Sequence, residues 1–202
     1  PHFIDGVAVV HNGIIENFSE LRDELAAGGA VFTTQTDTEV AAQLIAKYIR
    51  EGKSAREAML ATINRVTGAY ALVVMFKDHP DMLMAARSGQ PLAVGYGRGE
   101  MFLGSDAIAL APFTNEITYL VDGDCALITR DGAEIFDFAG NPVKREKQIS
   151  NATAYVVDKG NHRHFMEKEI YEQPEVISHA LSHYIDFATK TVKPTSGTIE
   201  FD

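Results

Sequence analysis

The spacing of apolar residues changes near the middle of the chain. In the first part, the β-branched run at 7–10 predicts a short buried strand. Three later stretches repeat apolar residues every three or four positions, which predicts amphipathic helices. After Tyr70 the apolar runs are short and separated by turn residues, which predicts strands. Because helices and strands do not alternate as in a doubly wound parallel sheet, antiparallel sheets layered with helices are favoured.

Each predicted helix in the first part begins with a potential N-cap residue and has an acid three positions later, the signature of a capping box. The pairs are Asn17 with Glu20, Thr36 with Glu39, and Ser54 with Glu57. Glycines at 28–29, 52 and 68 are predicted to end the same helices. The first part of the chain is therefore predicted to be one strand followed by three helices.

The second part carries seven strand candidates, a short helix at 106–111 and a final helical region. The strand candidates are 70–76, 82–87, 92–96, 101–104, 117–120, 126–129 and 134–138. The pair Asp131-Gly132 predicts a hairpin between the last two strands. The apolar pattern fades from 148 to 161, which indicates a linker, and 164–182 predicts helix interrupted at Pro174.

Composition sets limits on the kind of protein. Of 202 residues, 46% are hydrophobic and 23% charged, which is ordinary for a globular domain. The net charge of -10 argues against binding nucleic acid or an anionic membrane, and no apolar run is long enough to span a bilayer. The single cysteine, Cys125, permits no internal disulfide, so we expect a cytoplasmic protein. Since the chain opens with Pro1 close to a strand, we expect N-terminal truncation.

Two short segments could carry chemistry, and each has an ordinary structural alternative. Asn12-Gly13 is typical of a tight hairpin turn, yet an Asn amide and the next backbone N–H can also form an oxyanion hole. Asp37 is suited to the positive end of a helix, yet it could equally bind a substrate ammonium group. Cys125 has no base or helix start nearby and is interpreted as structural.

Two sequence strings resemble one enzyme family. Residues 11–17 read His-Asn-Gly-Ile-Ile-Glu-Asn, and residues 36–39 read Thr-Asp-Thr-Glu. Both are similar to motifs of the class II glutamine amidotransferases, over a region from about Val7 to Phe138. The resemblance implies an α+β fold, a four-layer α-β-β-α sandwich of the N-terminal-nucleophile hydrolase type, followed by a linker and a short helical segment.

A third string narrows the resemblance. Residues 163–174 read Arg-His-Phe-Met-Glu-Lys-Glu-Ile-Tyr-Glu-Gln-Pro, which is similar to the members that aminate fructose 6-phosphate to glucosamine 6-phosphate. In those members the string lies where a linker meets a sugar-isomerase domain. The resemblance thus implies a glutaminase domain lacking its N-terminal part at 1–150, a linker at 151–163 and the start of a sugar-isomerase domain at 164–202.

The resemblance also implies roles for residues. In the family, an N-terminal cysteine thiolate attacks the carboxamide of glutamine, and its own α-amine acts as the base. Asn12 and the Gly13 N–H would form the oxyanion hole, and Asp37 would hold the glutamine α-ammonium. The implied partners of the full-length enzyme are L-glutamine, fructose 6-phosphate and a second copy in a homodimer. No metal or organic cofactor is implied.

Two parts of the family pattern do not occur in this chain, namely the opening Cys-Gly-Ile and the loop Arg-Trp-Ala-Thr-His-Gly. Pro1 supplies an amine but no thiol, so we expect the chain as given to be inactive. Two alternatives stay open. The chain could be the glutaminase domain of another class II amidotransferase, or it could be a non-catalytic binding module.

Overall fold

A computed structural model of the chain describes residues 1–152, 162–186, 189 and 191–192. The chain divides into two compact units, Pro1–Val156 and Val157–Asp202. Part of the predicted linker, 153–161, and most of the polar C-terminal stretch lie outside the described residues. Within the described part, no helix combines the length and the apolar character needed to cross a membrane.

The first unit is built on a six-stranded sheet in which all neighbouring strands are antiparallel, in the order β1-β2-β3-β4-β8-β9. The strands are β1 (His2–Ile4), β2 (Val7–Ile15), β3 (Gly68–Phe76), β4 (His79–Ser88), β8 (Asp124–Thr129) and β9 (Gly132–Asp137). The predicted hairpin between the last two of them is confirmed, since Thr129 pairs with Gly132.

A second antiparallel sheet has four strands in the order β10-β7-β5-β6. They are β5 (Ala93–Tyr96), β6 (Met101–Gly104), β7 (Glu116–Tyr119) and β10 (Gln148–Ile149). The last of these, β10, lies in the segment predicted as a linker and pairs with β7, so that prediction was wrong at this point. The mixed α+β class with antiparallel sheets is confirmed.

Three helices follow β2, as the apolar spacing predicts: α1 (Phe18–Ala27), α2 (Asp37–Arg50) and α3 (Ala55–Ile63). Their buried stripes join one face of the larger sheet in a single core, with Leu21, Leu44 and Met59 packed in the same cluster as Leu72 and Val74. The alternate residues of the same strands face the smaller sheet, in a second core that includes Ala71, Ala85, Leu92 and Val94. A short helix, α4 (Ala107–Leu110), packs against the smaller sheet.

The predicted helix starts have different outcomes. Ser54 and Glu57 form the predicted capping box at the start of α3. Asn17 and Thr36 precede α1 and α2 as predicted, but neither side chain makes a capping hydrogen bond in the described structure. Asn17 binds the Arg65 carbonyl at 2.8 Å and the Thr67 N–H at 3.0 Å instead.

The second unit contains α5 (Phe165–Tyr184) and the short paired strands β11 (Ile185–Asp186) and β12 (Thr191–Val192). The helix runs through Pro174 without interruption, so the predicted break was wrong. A proline removes one intrahelical hydrogen bond, but neighbouring turns can keep the helix continuous.

Candidate active site

Asn12 and Gly13 do not form a turn. They lie inside β2, where they pair with Ala71 and Tyr70 of β3. The hairpin interpretation was therefore wrong, and the strand is much longer than its apolar run at 7–10. Because side chains alternate along a strand, Asn12 projects from one face while His11 and Ile15 project from the other, which packs against the helices.

Gly13 has a backbone conformation that only glycine adopts without strain, with φ of +120°. A Cβ at this position would lie 2.1 Å from the Ala69 carbonyl oxygen and 2.9 Å from the Tyr70 Cα. Both obstacles are main-chain atoms of the paired strand, which cannot move without disturbing the sheet. Glycine is thus required here for both space and backbone geometry.

The register of β2 directs the Gly13 N–H to an open edge of the sheet. The Glu16 N–H donates to the Thr67 carbonyl at 2.8 Å. In an antiparallel pair the main-chain groups of successive residues point alternately to opposite sides, so the N–H groups of Gly13 and Ile15 point away from β3. On that side β1 pairs only as far as Val9. The edge beyond Val9 is open to other partners.

Asp37 occupies this edge. It is the first residue of α2, and its Oδ2 accepts a hydrogen bond from the Ile15 N–H at 2.8 Å. Its side chain is 22% exposed, so the carboxylate remains accessible to a ligand. The structure thus brings Asp37 to within two residues of Gly13 along the same strand edge. Its position also favours the helix start electrostatically, so the two interpretations of Asp37 are compatible.

His11 lies behind Asp37. Its side chain is only 2% exposed, and its Nδ1 lies 3.7 Å from Asp37 Oδ1 and 3.0 Å from Thr38 Oγ1. The other ring nitrogen, Nε2, is buried without a hydrogen-bond partner among the described residues. Burial lowers the pKa of His11 below 6.5, against the opposite influence of the Asp37 carboxylate. A neutral imidazole beside Asp37 is therefore favoured at neutral pH.

Glu39, which the sequence suggested only as a capping partner, is 1% exposed and contacts the loop before α2. Its carboxylate accepts hydrogen bonds from the Thr33 and Thr34 N–H groups, both at 2.7 Å, and from both threonine hydroxyls. Burial alone raises the pKa of this carboxyl, but the hydrogen bonds from Thr34 and Thr33 outweigh it and lower the pKa to about 2. Glu39 is therefore a buried, ionised carboxylate.

Cys125, the single cysteine of the chain, is excluded as a nucleophile. Cys125 is fully buried in β8, and burial is the main cause that raises the pKa of its thiol to about 12. An inaccessible thiol with so high a pKa supplies no thiolate at neutral pH. The structural interpretation of Cys125 is confirmed. Among the residues that the structure describes, no cluster of three or more His, Cys, Asp or Glu side chains could hold a metal ion.

Comparison with known proteins gives a consistent pattern. The sequence model of the glutamine amidotransferase domain matches residues 3–112. A relative from Agrobacterium fabrum is 81% identical over 201 residues, and one from Rhizobium meliloti is 69% identical. Both relatives are named glutamine--fructose-6-phosphate aminotransferase (isomerizing). The alignment covers 100% of this chain but 33% of each relative, so the chain spans about a third of their length.

Two solved structures are similar to about two thirds of this chain. A glutamine phosphoribosylpyrophosphate amidotransferase from B. subtilis, complexed with ADP and GMP, is 27% identical, with a TM-score of 0.55 over 67% of this chain and 30% of that one. A glutamine aminotransferase class-II domain protein from Silicibacter pomeroyi is 19% identical, with a TM-score of 0.51 over 66% of this chain and 68% of that one. The second similarity is one of fold alone.

Proposed function

The chain belongs to the glutamine amidotransferase domain family, and from that premise we propose that it is the glutamine-hydrolysing part of a glutamine–fructose-6-phosphate aminotransferase. In this proposal, ammonia released from L-glutamine serves to convert fructose 6-phosphate to glucosamine 6-phosphate in another part of the enzyme. The identity of 81% and 69% to two relatives of that name, over the whole chain, supports this choice. Other amidotransferases are less favoured, since the solved one that uses phosphoribosylpyrophosphate is 27% identical.

One observation carries the chemical part of the proposal: the open edge of β2 next to Asp37. There the Gly13 N–H points away from β3, and the Asp37 carboxylate is held at 2.8 Å from the Ile15 N–H. An N–H that is not used in the sheet can stabilise an oxyanion, and Asp37 can bind the α-ammonium of glutamine by charge. We assign the second oxyanion donor to the side-chain amide of exposed Asn12.

The reaction requires a nucleophile that these residues do not supply. We propose that a cysteine thiolate from elsewhere in the longer protein attacks the carboxamide carbon of glutamine, with an α-amine accepting the thiol proton. The resulting tetrahedral oxyanion would meet Gly13 and Asn12. As it collapses, the protonated α-amine returns its proton to the leaving nitrogen, so ammonia departs and a thioester remains, which water hydrolyses to glutamate and the free thiol.

The finer architecture is part of the same proposal. We assign 1–150 to the glutaminase domain, 151–163 to the linker and 164–202 to the start of the sugar-isomerase domain. The helices on one face of the larger sheet and the smaller sheet on its other face supply three layers. A helical layer beyond the smaller sheet, where α4 begins to pack, would complete the four-layer sandwich. We also expect the complete enzyme to form a homodimer.

Asp37→Asn in the complete protein tests the assignment. Asn keeps the size and one oxygen for the Ile15 N–H but removes the charge. We expect KM for glutamine to rise by about 10- to 100-fold with a smaller change in kcat, because the ammonium contact exists in both ground and transition states. The measurement is ammonia release from glutamine and from an analogue without the α-amino group, which the wild-type enzyme should discriminate against and the variant should not.

The matched control is Glu20→Gln, which removes an exposed acid from the first turn of α1. It should leave KM for glutamine unchanged. A parallel loss on both substrates in Asp37→Asn, or no loss on either, contradicts a role for Asp37 in binding the ammonium. The 202-residue chain alone should release no ammonia.

A further inference from the structure

Glu39 is the most heavily hydrogen-bonded carboxylate near the candidate site. It is almost fully buried, and it accepts four hydrogen bonds from Thr33 and Thr34. We propose that Glu39 is a positioning residue that fixes the start of α2, and so holds the Asp37 carboxylate in place for the ammonium of glutamine. This inference rests on the proposed function of Asp37.

The start of α2 needs such an anchor. The first N–H groups of a helix have no partner within it, and a side-chain cap usually satisfies one of them. Thr36 precedes α2 but its side chain makes no capping bond there. Its hydroxyl lies 3.0 Å from the Thr34 hydroxyl, which in turn donates to Glu39. Through Thr34, the carboxylate thus holds the residue that immediately precedes Asp37.

On the outer side of the loop before α2, the Thr36 hydroxyl also forms a hydrogen bond with His2 Nε2 at 2.8 Å. Val31 is exposed, as are Thr33, Gln35 and Thr36. One turn beyond Glu39, the Gln43 side chain donates to the Val31 carbonyl at 2.9 Å. Glu39 and Gln43 therefore hold the loop from the buried side of the same helix. Without the carboxylate, two main-chain N–H groups and two hydroxyls would lose their acceptor.

A comparison within the molecule separates positioning from ordinary capping. Glu57 occupies the same place in α3 as Glu39 does in α2, three residues after the N-cap. Glu57 is exposed and binds the Ser54 N–H at 2.8 Å, as a capping box requires. Glu39 passes over its own N-cap residue and reaches the loop two and three residues further back. It therefore orders a loop rather than closing a helix.

The first test uses Glu39→Gln in the complete protein, with Glu57→Gln as the matched control. The amide nitrogen of Gln cannot accept a hydrogen bond, so it would face the threonine donors unpaired. We expect KM for glutamine to rise by about 10-fold or more, with kcat per folded molecule changed by less than about threefold. The control should change neither constant. Normal KM in folded Glu39→Gln would overturn the proposal.

The second test does not depend on catalysis. Amide hydrogen exchange of the chain in the wild type and in Glu39→Gln should show faster exchange at Thr33 and Thr34, and also at Ile15, whose N–H is bound to Asp37. Unchanged exchange at Ile15 would overturn the inference, since Asp37 would then have kept its place. If the complete wild-type protein released no ammonia from glutamine, the proposed function would fail, while faster exchange at Ile15 would still support positioning by Glu39.

A milder variant covers the case in which Glu39→Gln does not fold. Thr34→Val removes one hydroxyl donor to Glu39 and the link to Thr36 but keeps the Thr34 N–H bond. It should raise KM by a few-fold and leave kcat near the wild-type value. Thr189→Val, at an exposed threonine in the second unit, serves as its control. An equal KM in wild type and Thr34→Val would contradict the proposal.

Discussion

The side chains on the two faces of β2 differ in burial. On the helix-facing side, Val7, Val9 and Ile15 are buried, and His11 is enclosed between the strand and the start of α2. On the opposite side, Val10 is 55% exposed and Ile14 is 66% exposed, with Asn12 exposed between them. One strand of nine residues therefore carries a core-forming row and an open row.

Because of this difference in burial, the effects of a substitution on stability and on catalysis can be separated in one row but not in the other. Residues of the buried row contribute packing, so their substitution should change folding as well as function. Residues of the open row have few contacts to lose, so a functional residue there should show its role without a large change in stability. Gly13 belongs to the buried row by position, yet its N–H lies on the strand edge. It should combine both kinds of effect.

The largest effect is expected for Gly13→Ala. Positive φ costs a residue with Cβ roughly 1 to 3 kcal/mol, and forcing a methyl against main-chain atoms costs a similar amount. At 2.1 Å from the Ala69 oxygen, the new Cβ cannot fit without displacing β3. We therefore expect the free energy of unfolding to fall by roughly 2 to 6 kcal/mol, measured by urea denaturation of the chain.

Gly29→Ala is the control for Gly13→Ala. Gly29 also has positive φ, +93°, but a Cβ there meets no described atom within 4 Å. It should cost only about 1 kcal/mol, the strain of the backbone conformation. Equal losses in the two variants would show that the close approach of β3 at Gly13 has no energetic consequence.

The next effect is expected on catalysis, for Asn12→Ala in the complete protein. Loss of one oxyanion-hole donor typically lowers kcat by about 10²- to 10³-fold, with a smaller change in KM. Since Asn12 is exposed on the open row, the free energy of unfolding should change by less than about 0.5 kcal/mol. Glutaminase kinetics and urea denaturation of the same preparations give both values.

Asn17→Ala, in the same sequence string at 11–17, should have the opposite effect, lowering stability but not kcat. Its side chain joins the Arg65 carbonyl and the Thr67 N–H, so its loss should cost about 1 to 3 kcal/mol of stability. Its kcat per folded molecule should stay near normal. If Asn12→Ala behaved in this way instead, the open row would have no catalytic role.

The sequence predicted the elements of the first unit better than their ends. The sequence pattern located four helices and eight strands of this unit, because buried stripes and alternating runs reflect which faces pack. It missed β1, although Asp5-Gly6 is a hairpin signal and both residues have positive φ. It also ended β2 too early, since His11, Asn12 and Gly13 interrupt the apolar run while continuing the strand.

The candidate site shows why local rules were insufficient. Asn12-Gly13 was ambiguous because a turn and a strand edge use the same residues, and only pairing with β3 decides between them. The spacing predicted Glu39 as a capping partner, but its carboxylate oxygens accept hydrogen bonds from Thr33 and Thr34, in a loop that folds back against α2. The roles of Asn12, Gly13 and Asp37 came from resemblance to a family and stay predictions.

The smallest expected effect concerns His11, on the buried row, and it depends on pH. Burial lowers the folded-state pKa of His11 below the unfolded value of 6.5. The unfolded chain therefore takes up this proton first on acidification, and stability rises with pH up to about 6.5, above which the contribution is complete. As the pH falls, this contribution to the free energy of unfolding should be lost between about pH 6.5 and the lowered folded-state pKa of His11.

His11→Asn should flatten this dependence, since Asn can replace Nδ1 near Thr38 without titrating in the range. His79→Asn, at an exposed position in β4, removes a histidine with no such burial and should leave the slope unchanged. The measurement is the urea midpoint of the chain between pH 5.5 and 8, together with NMR titration of the His11 ring. A His11 pKa above 6.5 would mean that the charge of Asp37 outweighs burial, and stability would then fall as pH rises through that range.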